Sequence, residues 1–195
     1  MNTTKSVKRE VIEWLVLLGI PVALYISGLH TEALGGIQRI FLATGLIRPT
    51  ELPAAEQVRA DYELTLKSMD GNAVKLSDFR GKVVFLNLWA TWCPPCVAEM
   101  PGIQHLYEQV DTSKVVFVML SLDESVEKAH KFMKRKQYTF PVYQLDGALP
   151  DAYRAASIPT TFILSPNGRI VVRKEGMAQY DDDKFVRFLH ALAKR

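Results

Sequence analysis

A nearly continuous apolar octet, Val83-Val84-Phe85-Leu86-Asn87-Leu88-Trp89-Ala90, runs directly into Thr91-Trp92-Cys93-Pro94-Pro95-Cys96. A run of this length and character suits a central strand covered on both faces. Two prolines are tolerated in a helix only in its opening turn, where the missing N–H would have no partner anyway. The segment therefore predicts a strand, a short turn and a helix starting at Pro94. Cys93 falls near the N-cap and Cys96 one turn further on, with its N–H free to point back at the sulfur of Cys93.

Those are the only two cysteines in the 195 residues. Two thiols spaced in this way on the first helical turn can close a small disulfide, and the helix N-terminus stabilises the thiolate of the leading one. This is the chemistry of thiol–disulfide exchange. Structural zinc needs four ligands, and His30, His105, His130 and His190 form no close pair that could complete a set. A purely structural disulfide closing so short a loop would restrict the unfolded chain little. No cofactor and no metal is expected beyond the cysteine pair itself. A net charge of +3 implies no nucleic-acid partner.

The flanking pattern predicts an α/β domain. Tyr62 to Lys67 alternates as a strand, and Asn72 to Leu76 returns from the Asp70-Gly71 turn as the second arm of a hairpin. After the central strand, 94–110 reads as a helix with Pro101 as a kink. Val115 to Leu122 is a second apolar strand, 124–137 a charged amphipathic helix, and 141–144 a short extension. A short helix over 150–156, strands over 160–164 and 170–174 about Pro166-Asn167-Gly168, and a helix over 181–193 complete the pattern.

The N-terminus differs in kind. Lys5, Lys8 and Arg9 precede an 18-residue span, Trp14 to Thr31, without Asp, Glu, Lys or Arg. A membrane-spanning helix needs about 20 predominantly apolar residues. The expected organisation is a basic cytoplasmic N-terminus (1–10), a transmembrane anchor (11–31), an interfacial helix and linker (32–57), and a redox domain (58–195). The basic flank favours a cytoplasmic N-terminus, which puts the domain on the periplasmic side of the inner membrane. A cleaved signal peptide is the competing reading, with weak sites at Ser27-Gly28-Leu29 and Thr31-Glu32-Ala33.

The stretch Val83–Cys96 and the later Ser157-Ile158-Pro159-Thr160-Thr161-Phe162-Ile163-Leu164 resemble the active-site and cis-proline segments of thioredoxin-like proteins. Asp70-Gly71, the run Leu76-Ser77-Asp78-Phe79-Arg80-Gly81-Lys82 and Cys96-Val97-Ala98-Glu99 bring the resemblance closer to membrane-anchored thiol–disulfide oxidoreductases of the TlpA/ResA type. It covers about residues 58–193. It implies a thioredoxin-like fold, a central mixed sheet flanked by helices, behind an N-terminal transmembrane helix. By the same resemblance, Cys93 is the attacking thiol, exposed at the loop tip, and Cys96 the resolving thiol. Glu99, one helical turn beyond Cys96, manages its proton. Asn87 stands where ordinary thioredoxins carry a buried Asp. Trp92, Ile158, cis-Pro159 and Gly176 flank the substrate, and Trp89 belongs to the core.

Protein thiols and disulfides are the implied substrates, with apocytochrome c in cytochrome c biogenesis as one of them. With no further cysteines, a reductive role needs an external membrane electron donor. Two other functions compete. A peroxiredoxin-like peroxidase would want the peroxidatic proline–threonine–cysteine spacing, which is missing. A non-enzymatic copper-binding module would want wider cysteine spacing and a dedicated histidine.

Overall fold

The computed structural model describes residues 3–26 and 30–195. Helix α1 (Thr3–Ile26) carries Pro21 in its interior, and Val11, Ile12, Trp14, Leu15, Leu17 and Leu18 are exposed along it. Helix α2 (His30–Leu42) follows. Among the described residues no single helix is long and apolar enough to cross a membrane; α1 from Val7 and α2 meet that test only as a sharply bent pair. Positions 27–29 of the expected anchor, the Ser27-Gly28-Leu29 cleavage candidate included, lie outside the described residues.

The remainder is one seven-stranded mixed sheet with helices. Its strands are β1 (Thr65–Ser68), β2 (Ala73–Lys75), β3 (Val83–Trp89), β4 (Val115–Ser121), β5 (Val142–Leu145), β6 (Thr160–Leu164) and β7 (Ile170–Glu175). The order across the sheet is β2-β1-β5-β4-β3-β6-β7. Strand β3 runs parallel to β4 and antiparallel to β6, so Asn87 lies between Met119 and Thr161. The helices are α3 (Pro94–Gln109), α4 (Val126–Lys136) and α5 (Asp183–Leu192).

Every residue of β3 is buried, because both sheet faces are covered. Side chains alternate across a strand. Phe85 and Trp89 enter one core with Met100, Ile103, Phe132 and Leu189, from the helices of that face. Val84, Leu86 and Leu88 enter the other, with Leu64, Tyr153 and Phe162. Alternation sends Asn87 to the same face as Phe85 and Trp89, the α3 side. It is the one polar side chain in that strand.

Three elements differ from the sequence reading. The first strand begins only at Thr65, although Tyr62 and Leu64 are buried. The extension at 141–144 is a full sheet member: β5 pairs with β4 on one side and β1 on the other, joining the hairpin to the sheet. The helix expected over 150–156 is a single tight turn, Asp151–Tyr153, fixed by the Tyr153 hydroxyl donating to the Asp61 carbonyl at 2.7 Å.

Helix α2 lies across α3. Thr31, Gly35 and Leu42 are buried on its inner side. A Cβ on Gly35 would stand 3.0 Å from the Pro94 carbonyl oxygen and 3.3 Å from the Ala98 nitrogen. Glu32 pairs with Arg135 and Lys136 at the end of α4. Beyond α2, the Gln179 N–H donates to the Ile47 carbonyl at 2.9 Å, and the Leu52 N–H to the Val171 carbonyl at 2.7 Å. The opposite side of α2, with Leu34, Ile37, Ile40 and Phe41, is exposed.

Candidate active site

The site lies where β3 ends. The turn into α3 is tied to the adjacent strand end by Asp123, just past β4. The Thr91 N–H reaches the Asp123 carboxylate at 3.1 and 3.2 Å, and the Thr91 hydroxyl donates to Oδ1 at 2.6 Å. The Ser121 hydroxyl donates to Oδ2 at 2.8 Å. Both carboxylate oxygens of a buried side chain are thus occupied, which fixes the loop that carries Trp92 and Cys93.

Cys93 is the N-cap of α3, with Pro94 and Pro95 opening the helix as their chemistry requires. Its sulfur accepts the Cys96 N–H at 3.3 Å, as the spacing predicted. Cys93 and Cys96 are joined as a disulfide with Cα atoms 5.3 Å apart. The same N–H would face a Cys93 thiolate after reduction, and the helix dipole acts in the same direction. Cys96 is fully buried. Cys93 is only 4% exposed, so the expectation of an open loop tip is corrected. The reason is the opposing loop, whose Ile158 carbonyl oxygen lies 3.7 Å from the Cys93 sulfur.

That loop contains a cis Ile158–Pro159 peptide bond, as the resemblance implied. The Pro159 carbonyl accepts the Gly176 N–H at 2.8 Å. Gly176 has φ +74°, a left-handed conformation that glycine adopts without strain, so it holds the cis-proline loop at the end of β7. Trp92 is 57% exposed beside Cys93, whereas Trp89 is buried against Phe132. Cys93, Ile158 and Pro159 therefore meet at one surface, with Trp92 and Gly176 beside it.

Glu99 lies behind this surface, 2% exposed on α3. Its Oε1 accepts the Asn87 side-chain amide at 2.8 Å, and its Oε2 accepts the Ala178 N–H at 3.2 Å. The Asn87 amide also donates to the Thr161 hydroxyl oxygen at 2.8 Å, and the Tyr180 hydroxyl donates to that same oxygen at 2.7 Å. Burial pushes the Glu99 carboxyl up to about 8, against the opposing pull of Asn87, Ala178 and the Lys174 charge. Desolvation wins because, among the described residues, no ion pair reaches the carboxyl to replace its lost water. Burial therefore favours the neutral acid over the carboxylate around neutral pH while the disulfide is closed. Burial, and secondarily the nearby Glu99, pushes the Tyr180 phenol well above its ordinary range.

The residues singled out in the sequence, Cys93, Cys96, Glu99, Trp92, Ile158, Pro159 and Gly176, lie at or next to this disulfide, and so do Asp123, Ala178, Thr161 and Tyr180, which the sequence reading did not single out. Asp123 carried a usable signal: an acid just beyond the carboxyl end of a parallel strand, next to the strand that bears the site. Thr161 and Tyr180 carried none, because the β3–β6 register brings Thr161 to Asn87 and the segment after β7 brings Tyr180 to Thr161. Among the described residues no group of three or more His, Cys, Asp or Glu side chains could hold a metal ion.

Comparison with known proteins agrees with this geometry. Residues 59–173 match the AhpC/TSA family. The chain is 40% identical over 124 residues to the thiol-disulfide oxidoreductase ResA of Oceanobacillus iheyensis, a match covering 62% of this chain and 65% of that protein. It thus spans a little under two thirds of that relative's length. It is 32% identical over 127 residues to ResA of Halalkalibacterium halodurans, covering 64% of this chain and 72% of that protein. A secreted thiol-disulfide isomerase from Corynebacterium glutamicum has the same fold, with a TM-score of 0.60 at 22% identity, over 75% of this chain and 92% of that one.

Proposed function

We propose that this chain, which belongs to the AhpC/TSA family and within it to the TlpA/ResA type of thiol–disulfide oxidoreductase, reduces protein disulfides through the Cys93–Cys96 pair from a membrane-tethered position outside the cytoplasm. The single observation that carries the reading is the face formed at Cys93. A helix-capping sulfur receives the Cys96 N–H, and the Ile158 carbonyl before a cis-proline stands against it. An extended polypeptide can pair with the backbone of the cis-proline loop and bring its own sulfur to that point.

In the reduced protein, the Cys93 thiolate attacks one sulfur of a client disulfide and expels the other as a thiolate. Cys96 then gives up its proton and attacks Cys93, which releases the second client sulfur and closes the Cys93–Cys96 bond. The client gains two electrons and the cysteine pair loses them. Glu99, one turn from Cys96, takes the Cys96 proton and keeps it in the closed form, where burial holds the carboxyl neutral. When an external dithiol donor reopens the disulfide, its thiolate attacks Cys93 and Cys96 leaves as a thiolate. Glu99 returns the proton to it.

The tethering reading is supported by the uncharged stretch from Trp14 to Thr31, by the basic residues before it, and by the exposed apolar side chains of α1. Apocytochrome c, presenting a cysteine pair in an extended segment, is a client the same face would accept. Two measurements test the proposal. Equilibration with dithiol buffers should give a potential near the ~−270 mV of thioredoxin, whereas a value near the ~−120 mV of DsbA would make the pair an oxidant. A reporter fused after Arg195 should be active only in an exported form; a cytoplasmic signal overturns the topology.

A further inference from the structure

Glu99 has two sides, and only one leads to water. On the inner side its partners are Asn87 and, through it, Thr161 and Tyr180, all fully buried. A proton held on Glu99 meets no solvent there. On the outer side lies a cavity of about 340 Å³ between α2, α3 and the segment after β7. Glu99 and Ala178, the two ends of the Oε2 hydrogen bond, both form part of its wall. Arg39 and Leu42 of α2 line the opposite side, and His105, Gln179 and Asp181 complete the polar lining.

We propose that this cavity is the route by which Glu99 exchanges its proton with solvent, and that His105 is the relay residue at its mouth. The proposal rests on the reading of Glu99 as the proton partner of Cys96. The space is ample for several waters, and Arg39, His105 and Asp181 supply the polar partners ordered water needs. His105 lies on α3 itself, 56% exposed at its side chain, with Nδ1 3.6 Å from Asp181 Oδ2. Imidazole is the one side chain that ordinarily gains and loses a proton near neutral pH, and the adjacent carboxylate orients the ring. His105 touches neither sulfur, so it acts through Glu99.

The balance is simple. When the disulfide is opened by a donor, the Glu99 proton passes to the Cys96 thiolate and Glu99 is left as a carboxylate. A proton from solvent then reaches Glu99 through cavity water held by His105, Asp181 and Arg39. Before Cys96 is next oxidised, Glu99 gives that proton up to solvent through the same water, and the carboxylate then takes the Cys96 proton. The charged and titratable groups facing this path are Lys174 at the end of β7, Tyr180 and Asp181 just after it, and Arg39 on α2. Lys174 favours the ionised carboxylate.

The test uses the full chain in detergent, turning over a protein disulfide with a dithiol donor. His105→Ala should slow turnover roughly tenfold, less than the hundredfold or more of a direct acid or base, because cavity water still conducts. It should enlarge the solvent deuterium isotope effect, and added imidazole should restore the rate. In a Glu99→Gln background, His105→Ala should change nothing further. Gly102→Leu, which fills the cavity beside Asp181, should slow the same step without rescue by imidazole. An unaltered rate and isotope effect in His105→Ala, or an equal loss with and without Glu99, overturns the route. If Glu99→Gln itself leaves the pH–rate profile unaltered, the reading of Glu99 falls and the route falls with it. If Glu99→Gln acts and His105→Ala does not, only the route is lost.

Discussion

The side-chain amide of Asn87 stands 2.8 Å from Glu99 Oε1, joining the central strand to the active-site helix through a buried hydrogen bond. An aspartate on β3 would compete with Glu99 for a single proton, because two buried carboxyls at this distance cannot both ionise. The Asn87 amide donates to Glu99 and carries no titrating proton. It lowers the Glu99 pKa somewhat, but burial dominates, so one titrating group is left beside Cys96.

That arrangement makes stability depend on pH. In the unfolded chain Glu99 ionises near its ordinary value of 4.5, and in the fold it keeps its proton to about 8. Between those values the folded state binds the extra proton, so stability falls as pH rises and levels off above the upper limit. The slope is at most about 1.4 kcal/mol per pH unit for one proton. Glu99→Gln cannot ionise and should lose this slope. Urea denaturation of the oxidised protein at pH 5, 6, 7 and 8 should therefore show the variant gaining steadily on the parent chain. Parallel curves across that range would remove the buried-acid account.

Asp123 should matter to the loop rather than to the chemistry. Asp123→Ala leaves the Thr91 N–H and hydroxyl and the Ser121 hydroxyl without their acceptor. Losing hydrogen bonds to a buried charged group costs about 2–3 kcal/mol. Thr91→Val keeps the N–H bond and should cost about 1 kcal/mol. Alkylation of reduced Cys93 should change in Asp123→Ala, because the capping geometry is no longer held. Wild-type alkylation kinetics in that variant would mean that Asp123 only stabilises the fold.

The two sulfurs should separate cleanly by role. Cys93 keeps a small exposed area beside the Ile158 carbonyl, whereas Cys96 is fully buried. Cys96→Ser should accumulate mixed disulfides with client proteins, visible on non-reducing gels, whereas Cys93→Ser should not. Trapping by Cys93→Ser alone would reverse the assignment.

Much of this was legible in the sequence because it is local. The octet before Cys93, the two prolines and the spacing of Cys96 and Glu99 are fixed by helix and strand periods. The rest depends on register and packing. Nothing local marks Thr161 or Tyr180 as neighbours of Asn87. The strand status of Val142 to Leu145 depends on finding β1 and β4 on either side. Helix α2 passes through Gly35-Gly36 without interruption. Tertiary contact with α3 overrides the low helix propensity of glycine there.

Those two glycines give opposite expectations. Gly35 faces α3, where a Cβ would meet the Pro94 carbonyl oxygen at 3.0 Å, the Ala98 nitrogen at 3.3 Å and the Val97 side chain at 3.3 Å. Two of these are backbone atoms of the active-site helix and cannot turn aside. Gly35→Ala should therefore push α2 outward and cost about 1–3 kcal/mol, as overpacking does. Gly36 has nothing within 4 Å of the same position. Gly36→Ala should stabilise the helix by about 0.5–1 kcal/mol through the lost freedom of the unfolded chain. Thermal unfolding of the two full-length variants compares them directly, and hydrogen exchange over residues 30–42 should rise in Gly35→Ala alone. Because α2 also forms one wall of the cavity beside Glu99, Gly35→Ala should shift the pH–rate profile, and Gly36→Ala should leave it alone. If both variants moved stability in the same direction, α2 would not be seated on α3 through Gly35.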